Sequence, residues 1–418
     1  MRPSAVLFAI LALRCYAQDR TTETGEGSIA DPQIECSPYN YPPVASQSAA
    51  FPTIWQPASI LPGDSAAQNL WNTIAPSVPG ISPKAPQWTT NSAGFQYSPS
   101  DPDCWWSYKQ CVTPKLSGLS PDISNVPEPY TTGYGFDDGP NCSHNAFYDY
   151  LASKNQKATM YYIGSNVMDW PLEAQRGLAD GHEICVHTWS HRYMTSFSSP
   201  DAFAELYYSM YYLLYKASVI HNTINRSGRD PSCSPQLHAN IPPFGDVDDR
   251  IRAIARGLGL QTIIWDYDSN DWRNGMGGIT KTQVDSNYET FINMATDGTF
   301  STHGGIMLTH ELNNFTMSEA VEFYDKLQGA FKYIVPVGVA YNKTQPYVEK
   351  NYTQPTFEQY IKGAAAAPGN GNIGSSGTGG AAGSGSTASQ KNGDTARALS
   401  WTYAGKLLAV TTAWTLLF

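Results

Sequence analysis

Thr132-Gly133-Tyr134-Gly135-Phe136-Asp137-Asp138-Gly139-Pro140 reads as an apolar strand ending in two adjacent carboxylates and a Gly-Pro turn. Downstream the same texture recurs. Runs with strand character lie at 158–163, 183–187, near 236–241, and at 261–265, 305–308 and 333–337. Helical stretches are predicted between them at 170–180, 201–224, 246–258, 280–295 and 317–331. Val247, Ile251, Ile254 and Leu258 recur at three- and four-residue spacing, an apolar stripe on one helix face. Strands alternating with helices imply parallel strands joined by crossovers. The predicted fold class is α/β: a distorted (β/α) barrel of about seven parallel strands. In such a barrel, chemistry gathers at the C-terminal ends of the strands.

Polar clusters stand at those ends. An Asp-Asp-Gly turn alone is ordinary turn chemistry. The third strand, however, ends in His187-Thr188-Trp189-Ser190-His191. Two imidazoles at i and i+4 share one face of a helical turn and reach one ion. Asp138, His187 and His191 then form a two-His, one-carboxylate set with positions left open for water and substrate. Zn²⁺ suits such a set and lowers the pKa of its water toward about 7. Asp268-Ser269-Asn270-Asp271-Trp272 follows the 261–265 strand, and His310 follows the 305–308 strand. Hydrolysing an amide needs a base for water and an acid for the leaving nitrogen. Asp137 fits the base and His310 the acid, with Asp268 placed to orient His310 and raise its pKa. Trp272 and Leu308 read as core from spacing alone. At these strand ends they would also form an apolar slot for a methyl group.

Taken together and in order, these segments resemble the polysaccharide deacetylases of carbohydrate esterase family 4, fungal chitin deacetylases above all. Pro242-Pro243-Phe244-Gly245-Asp246-Val247-Asp248-Asp249-Arg250 supplies the remaining motif, and the resemblance spans about 129–341. It implies a distorted (β/α) barrel and a divalent ion, Zn²⁺ or Co²⁺, on Asp138, His187 and His191. It also implies Asp137 as base, His310 as acid tuned by Asp268, the Phe244 backbone N–H on the oxyanion, and Trp272 with Leu308 around the acetyl methyl. One position departs from the family pattern. Ile241 stands where the family carries an Arg that holds the base, and an apolar side chain cannot make that charge-assisted bond. His238 or Asn240 could take its place, or an Arg from elsewhere in the chain.

The flanks read differently. Residues 1–17 have a basic start, an apolar run and a small-residue cleavage pattern, as expected of a signal peptide. Residues 18–125 are rich in Pro, Ser and Trp without a sustained period, predicting an irregular extension packed on the main domain or partly disordered. The catalytic domain is placed at 126–345. Residues 363–391 are a Gly/Ser/Ala-rich linker. Residues 392–418 order small residues, a polar spacer and an apolar tail, as in a glycosylphosphatidylinositol (GPI) attachment signal with attachment at Asn392 or Gly393. The expected location is therefore secreted: held in the outer leaflet of the plasma membrane by a GPI lipid, within the cell wall.

Composition agrees. The 418 residues include 26 Lys and Arg against 36 Asp and Glu, a net charge of −10. Removal of both processing segments takes it to about −13. An acidic chain of this kind is no nucleic-acid binder, because counterion release needs a basic face. Few charges with 26 Tyr and 11 Trp suit a protein that handles neutral sugars. Seven cysteines become six without Cys15, which suggests disulfides. Cys104 and Cys111 are spaced as a local pair, and Cys185, in an apolar run, as a buried thiol. Sequons at Asn225, Asn314, Asn342 and Asn351 fit secretion. A fifth, at Asn141, has Cys142 as its middle residue and abuts the Asp-Asp turn, which counts against its use. The expected activity is metal-dependent removal of N-acetyl groups from chitin or chitin oligomers, giving chitosan and acetate, with no protein partner implied. The alternatives are the same chemistry on another acylated glycan, or a weakly active wall mannoprotein that binds chitin.

Overall fold

A computed structural model describes residues 18–84, 97–217, 239–347 and 352–364. The opening stretch forms one strand broken at Tyr134 into β2 (Thr131–Gly133) and β3 (Gly135–Gly139). From β3 the sheet continues in parallel through β4 (Thr159–Tyr162), β5 (Glu183–Val186), β6 (Ala239–Asn240) and β7 (Gln261–Thr262). On the other side β2 pairs in parallel with β9 (Gly304–Leu308) and β10 (Tyr333–Val335), and β9 pairs with β8 (Tyr267–Asp268). A parallel bridge between Asp137 and His310 and another between Ile123 and Ile263 draw the two sheets together. The result is the distorted (β/α) barrel.

Two features depart from the sequence reading. The predicted strand at 261–265 is only the short β7, and the chain makes a further strand, β8, two residues beyond its expected end. A two-residue strand, β1 (Asn125–Val126), enters antiparallel against β9, so the sheet is not wholly parallel. It fills the gap that the short β7 leaves.

Side chains alternate along the strands as the pleat requires. Tyr161, Cys185, Ile241, Ile263 and Ile306 form the apolar interior of the barrel. Phe136, Met160, Tyr162, Ile184 and Val186 face outward into the larger core under the helices. That double-sided burial explains why the strands read as continuous apolar runs.

The five predicted crossover helices appear as Pro171–Ala179, Ser199–Ala217, Asp249–Gly257, Lys281–Thr296 and Asn314–Ala330. Helix Asp249–Gly257 starts where the Asp248 carboxylate accepts the Ile251 N–H, and it buries Ile251, Ile254 and Ala255. Two further helices, Asn145–Ser153 and Gly164–Asp169, were not read from the sequence. The first fills the place that alternation leaves between β3 and β4, and the second shares the β4–β5 connection with helix Pro171–Ala179.

Residues 18–84 and 97–125 pack on the barrel. They carry a ten-residue helix, Ser65–Ile74, and several single turns, and Val44, Phe51, Ala58, Ala67, Ile74 and Trp106 join the main core. Disulfide Cys36–Cys142 ties this segment to the loop after β3, and Cys104–Cys111 closes a local loop. Cys185 is a buried free thiol. Cys233, the 1–17 leader, nearly all of the 363–391 linker, the 392–418 signal, and sequons Asn225 and Asn351 lie outside the described residues.

Candidate active site

The functional side chains gather at the C-terminal ends of several strands. Asp137 and Asp138 end β3, and Asp138 sits at φ +72, a left-handed conformation that side chains rarely adopt without support. Its backbone carbonyl accepts the Asn166 amide at 2.7 Å. The Asp138 Oδ1 atom is buried with no hydrogen bond, and His187 Nε2 and His191 Nε2 lie 3.3 and 3.0 Å from it. The three ligand atoms fall within 4.8 Å of one another. His187 Nδ1 donates to the Ile241 carbonyl at 2.8 Å, which leaves the Nε2 lone pair facing the other two ligands. The set fits a divalent cation, because an orphaned buried carboxylate oxygen and two imidazole nitrogens converge on one point. Burial alone would raise the Asp138 pKa, yet the two imidazoles hold it well below the carboxylate range.

The two histidines are not on a helical turn. Residues 187–191 leave β5 as a loop, with Thr188 at φ +64 and His191 at φ +53. The curl of this loop, rather than helical periodicity, sets the rings 4.9 Å apart.

On one side of the trio stands Asp137, buried, with His187 Nε2 at 3.8 Å. Desolvation pushes its pKa up to about 6, against the pull of His187 and His310. Among the described residues no Lys or Arg pairs with it, and Asn240 makes no hydrogen bond to it; His238 lies outside them. Ile241 faces the barrel interior and shares a small cavity with Asp137, Tyr161, Trp265 and Leu308.

On the other side stands His310. Its Nδ1 is 2.6 Å from Asp271 Oδ1, and its backbone N–H donates to Asp271 Oδ2 at 3.0 Å. Burial opposes protonation, but Asp271, with Asp138 and Asp137 beyond it, pushes the pKa up to about 10. The expectation that Asp268 orients His310 is therefore corrected to Asp271. Asp268 instead accepts the N–H of Asn270 at 2.7 Å. Asn270 at φ +55 turns the chain so that Asp271, three residues after Asp268, points back at the imidazole.

Phe244 lies in the turn Pro243–Gly245 at φ +59; the residue is 38% exposed and its ring stacks on Tyr193 at 4.2 Å. Gly245, at φ +64, is required there, since a Cβ would strike the Trp106 ring at 2.1 Å. Leu308 ends β9, and Trp272 is half-buried in the turn that carries Asp271.

Residues 127–227 match the polysaccharide deacetylase family. Over 368 residues the chain is 48% identical to chitin deacetylase 2 of Cryptococcus neoformans var. grubii, covering 87% of this chain and 76% of that one. It belongs to the polysaccharide deacetylases. A chitin deacetylase of Amylomyces rouxii is 42% identical, with 77% and 74% of the two chains covered. Among solved structures, the chitin deacetylase of Colletotrichum lindemuthianum is similar at 21% identity and a TM-score of 0.43, over 53% of this chain and 92% of that one.

For a polysaccharide deacetylase, the rim of the cleft bears on the sequons. The Asn141 side-chain amide donates to the Leu312 carbonyl at 2.6 Å, and its Oδ1 accepts Ser143 N–H at 2.9 Å. That amide is committed to the loop. Asn314 and Asn342 are exposed.

Proposed function

We propose that the protein hydrolyses the N-acetyl groups of N-acetylglucosamine units in chitin, leaving glucosamine and releasing acetate. One observation carries this reading. A fitting metal-ligand trio lies between a buried carboxylate, Asp137, and a carboxylate-held imidazole, His310, at one barrel mouth. The similarity to chitin deacetylases supports the choice of chitin as substrate.

Asp138, His187 and His191 would hold a divalent ion, which when bound would supply the Lewis acidity that lowers the pKa of water and polarises an acetyl carbonyl. Asp137 takes the proton of the attacking water as its oxygen bonds to the acetyl carbon. His310, fixed through Nδ1 by Asp271, presents Nε2 to the cleft and delivers a proton to the leaving nitrogen as the C–N bond breaks. The Phe244 N–H faces the developing oxyanion. Trp272 and Leu308 enclose the methyl group. Zn²⁺ or Co²⁺ suits the ligand set.

The test is acetate release from N-acetylglucosamine oligomers and from acetylated xylan, side by side. We expect release from the chitin oligomers; release from xylan alone would overturn the substrate assignment.

We further infer export and a GPI anchor from the composition of 1–17 and 392–418. No helix among the described residues is long and apolar enough to cross a membrane. Membrane-bound protein should be freed by a phosphatidylinositol-specific phospholipase, and retention after that treatment would contradict the anchor.

A further inference from the structure

The loop bearing both imidazoles holds two left-handed residues, Thr188 and His191, neither of which favours that conformation. Something must hold it. Between them lie Trp189 and Ser190, which are held by one buried carboxylate, by Ser165 of helix Gly164–Asp169 and by the segment ahead of the barrel. Glu205, from helix Ser199–Ala217, has no exposed surface. Its Oε2 accepts the N–H groups of Trp189 and Ser190 at 3.0 and 2.8 Å. Its Oε1 accepts the Ser190 hydroxyl and the Ala58 N–H, both at 2.7 Å.

Residues 51–58 grip the same loop from outside. The Trp189 indole donates to the Thr53 carbonyl at 3.1 Å and lies parallel to the Phe51 ring, tilted by 9° at 6.1 Å. Ser165 donates to the Trp189 carbonyl at 2.6 Å and accepts the Trp55 N–H at 2.9 Å. A carboxylate that accepts four bonds inside a protein is a rigid anchor, because releasing any donor would leave it buried and unpaired.

We propose that Glu205 is a positioning residue for the metal centre and that residues 51–58 complete it, so that divalent-ion affinity depends on a segment outside the barrel. This rests on the metal reading of Asp138, His187 and His191. Glu205 touches no ligand atom; it acts on where His187 and His191 sit. Partners of this kind commonly set metal affinity by 10- to 100-fold.

The test is zinc affinity, measured on the full chain by competition with a chromophoric chelator. Glu205→Ala removes the anchor. Ala58→Pro removes a single N–H while leaving every barrel residue in place. Glu183→Gln is the control, a buried carboxylate at the N-terminal end of β5 that accepts the Thr159 hydroxyl at 2.6 Å and the Gly338 N–H at 2.9 Å. We expect Glu205→Ala and Ala58→Pro to weaken zinc binding about 10- to 100-fold and to alter the visible spectrum of the Co²⁺ form. Glu183→Gln should lower the melting temperature with zinc affinity unchanged.

Zinc affinity within about twofold of wild type in Ala58→Pro and in Glu205→Ala would overturn the proposal. If Glu205→Ala does not fold, Glu205→Gln takes its place. Gln retains one acceptor for the loop amides but turns an NH₂ toward Ala58, so a smaller loss is expected and none would overturn it. Wild-type protein that binds zinc yet releases no acetate from chitin would sink the substrate assignment and leave this inference standing.

Discussion

At the scale of single residues, His310 and its carboxylate decide whether the site can protonate a leaving nitrogen. The stretch 268–272 offers two carboxylates three residues apart, and nothing in their spacing says which one faces the imidazole. Asp268 spends its carboxylate on the Asn270 N–H in a local turn. That turn frees Asp271 to bond both Nδ1 and the backbone N–H of His310. We therefore expect Asp271→Asn to lower kcat by about a hundredfold with zinc affinity retained. Asp268→Asn should cost far less; equal losses in the two variants would restore Asp268 to the role. The metal ligands, by contrast, were legible because three residues of liganding type fell at strand ends. Their backbone was not, since a His-x-x-x-His spacing fits a helical turn as readily as a left-handed loop.

At the scale of elements, the barrel strands and five crossover helices followed from alternation and period. The described parts of 18–125 did not: apart from helix Ser65–Ile74, their short turns carry too few residues for a period to show. Their order comes from tertiary contacts instead. Glu26 and Glu35 of this segment are buried beside Glu173 of helix Pro171–Ala179, with Arg20 at 3.7 Å from Glu26 and 3.8 Å from Glu173. The Tyr39 hydroxyl donates to Glu173 at 2.6 Å. Burial, reinforced by the Glu26 charge, pushes the pKa of Glu173 up to about 8 and of Glu35 up to about 7. Both lie above the ordinary value of 4.5, so the folded chain holds protons that the unfolded chain gives up. Their contribution to stability is full below that value and is lost as pH rises through about 7 to 8. The melting temperature should fall from about pH 5 to pH 8, and Glu173→Gln should flatten the fall. A midpoint that rises over that range would contradict this reading of the cluster.

At the scale of the whole molecule, the chemistry sits on one rim. Residues far apart in sequence, Asp137 and Asp138, His187 and His191, Phe244, Asp271 and His310, stand at successive strand ends, as a barrel of this kind arranges them. The segment ahead of the barrel reaches the same rim through Ala58, Thr53 and Phe51, a role that composition alone could not reveal. Ile241 remains the point where the chain differs from its family pattern. Its side chain fills the interior under Asp137, while its carbonyl still aims His187. The most direct measurement is acetate released from N-acetylglucosamine oligomers by chelator-stripped protein as Zn²⁺ is restored, for wild type and Asp137→Asn. We expect release to vanish on stripping and return with zinc in the wild type, while Asp137→Asn binds zinc yet works at least about a hundredfold more slowly. Release that ignores chelation, or that is undiminished in Asp137→Asn, would contradict a metal-dependent deacetylase built on this site.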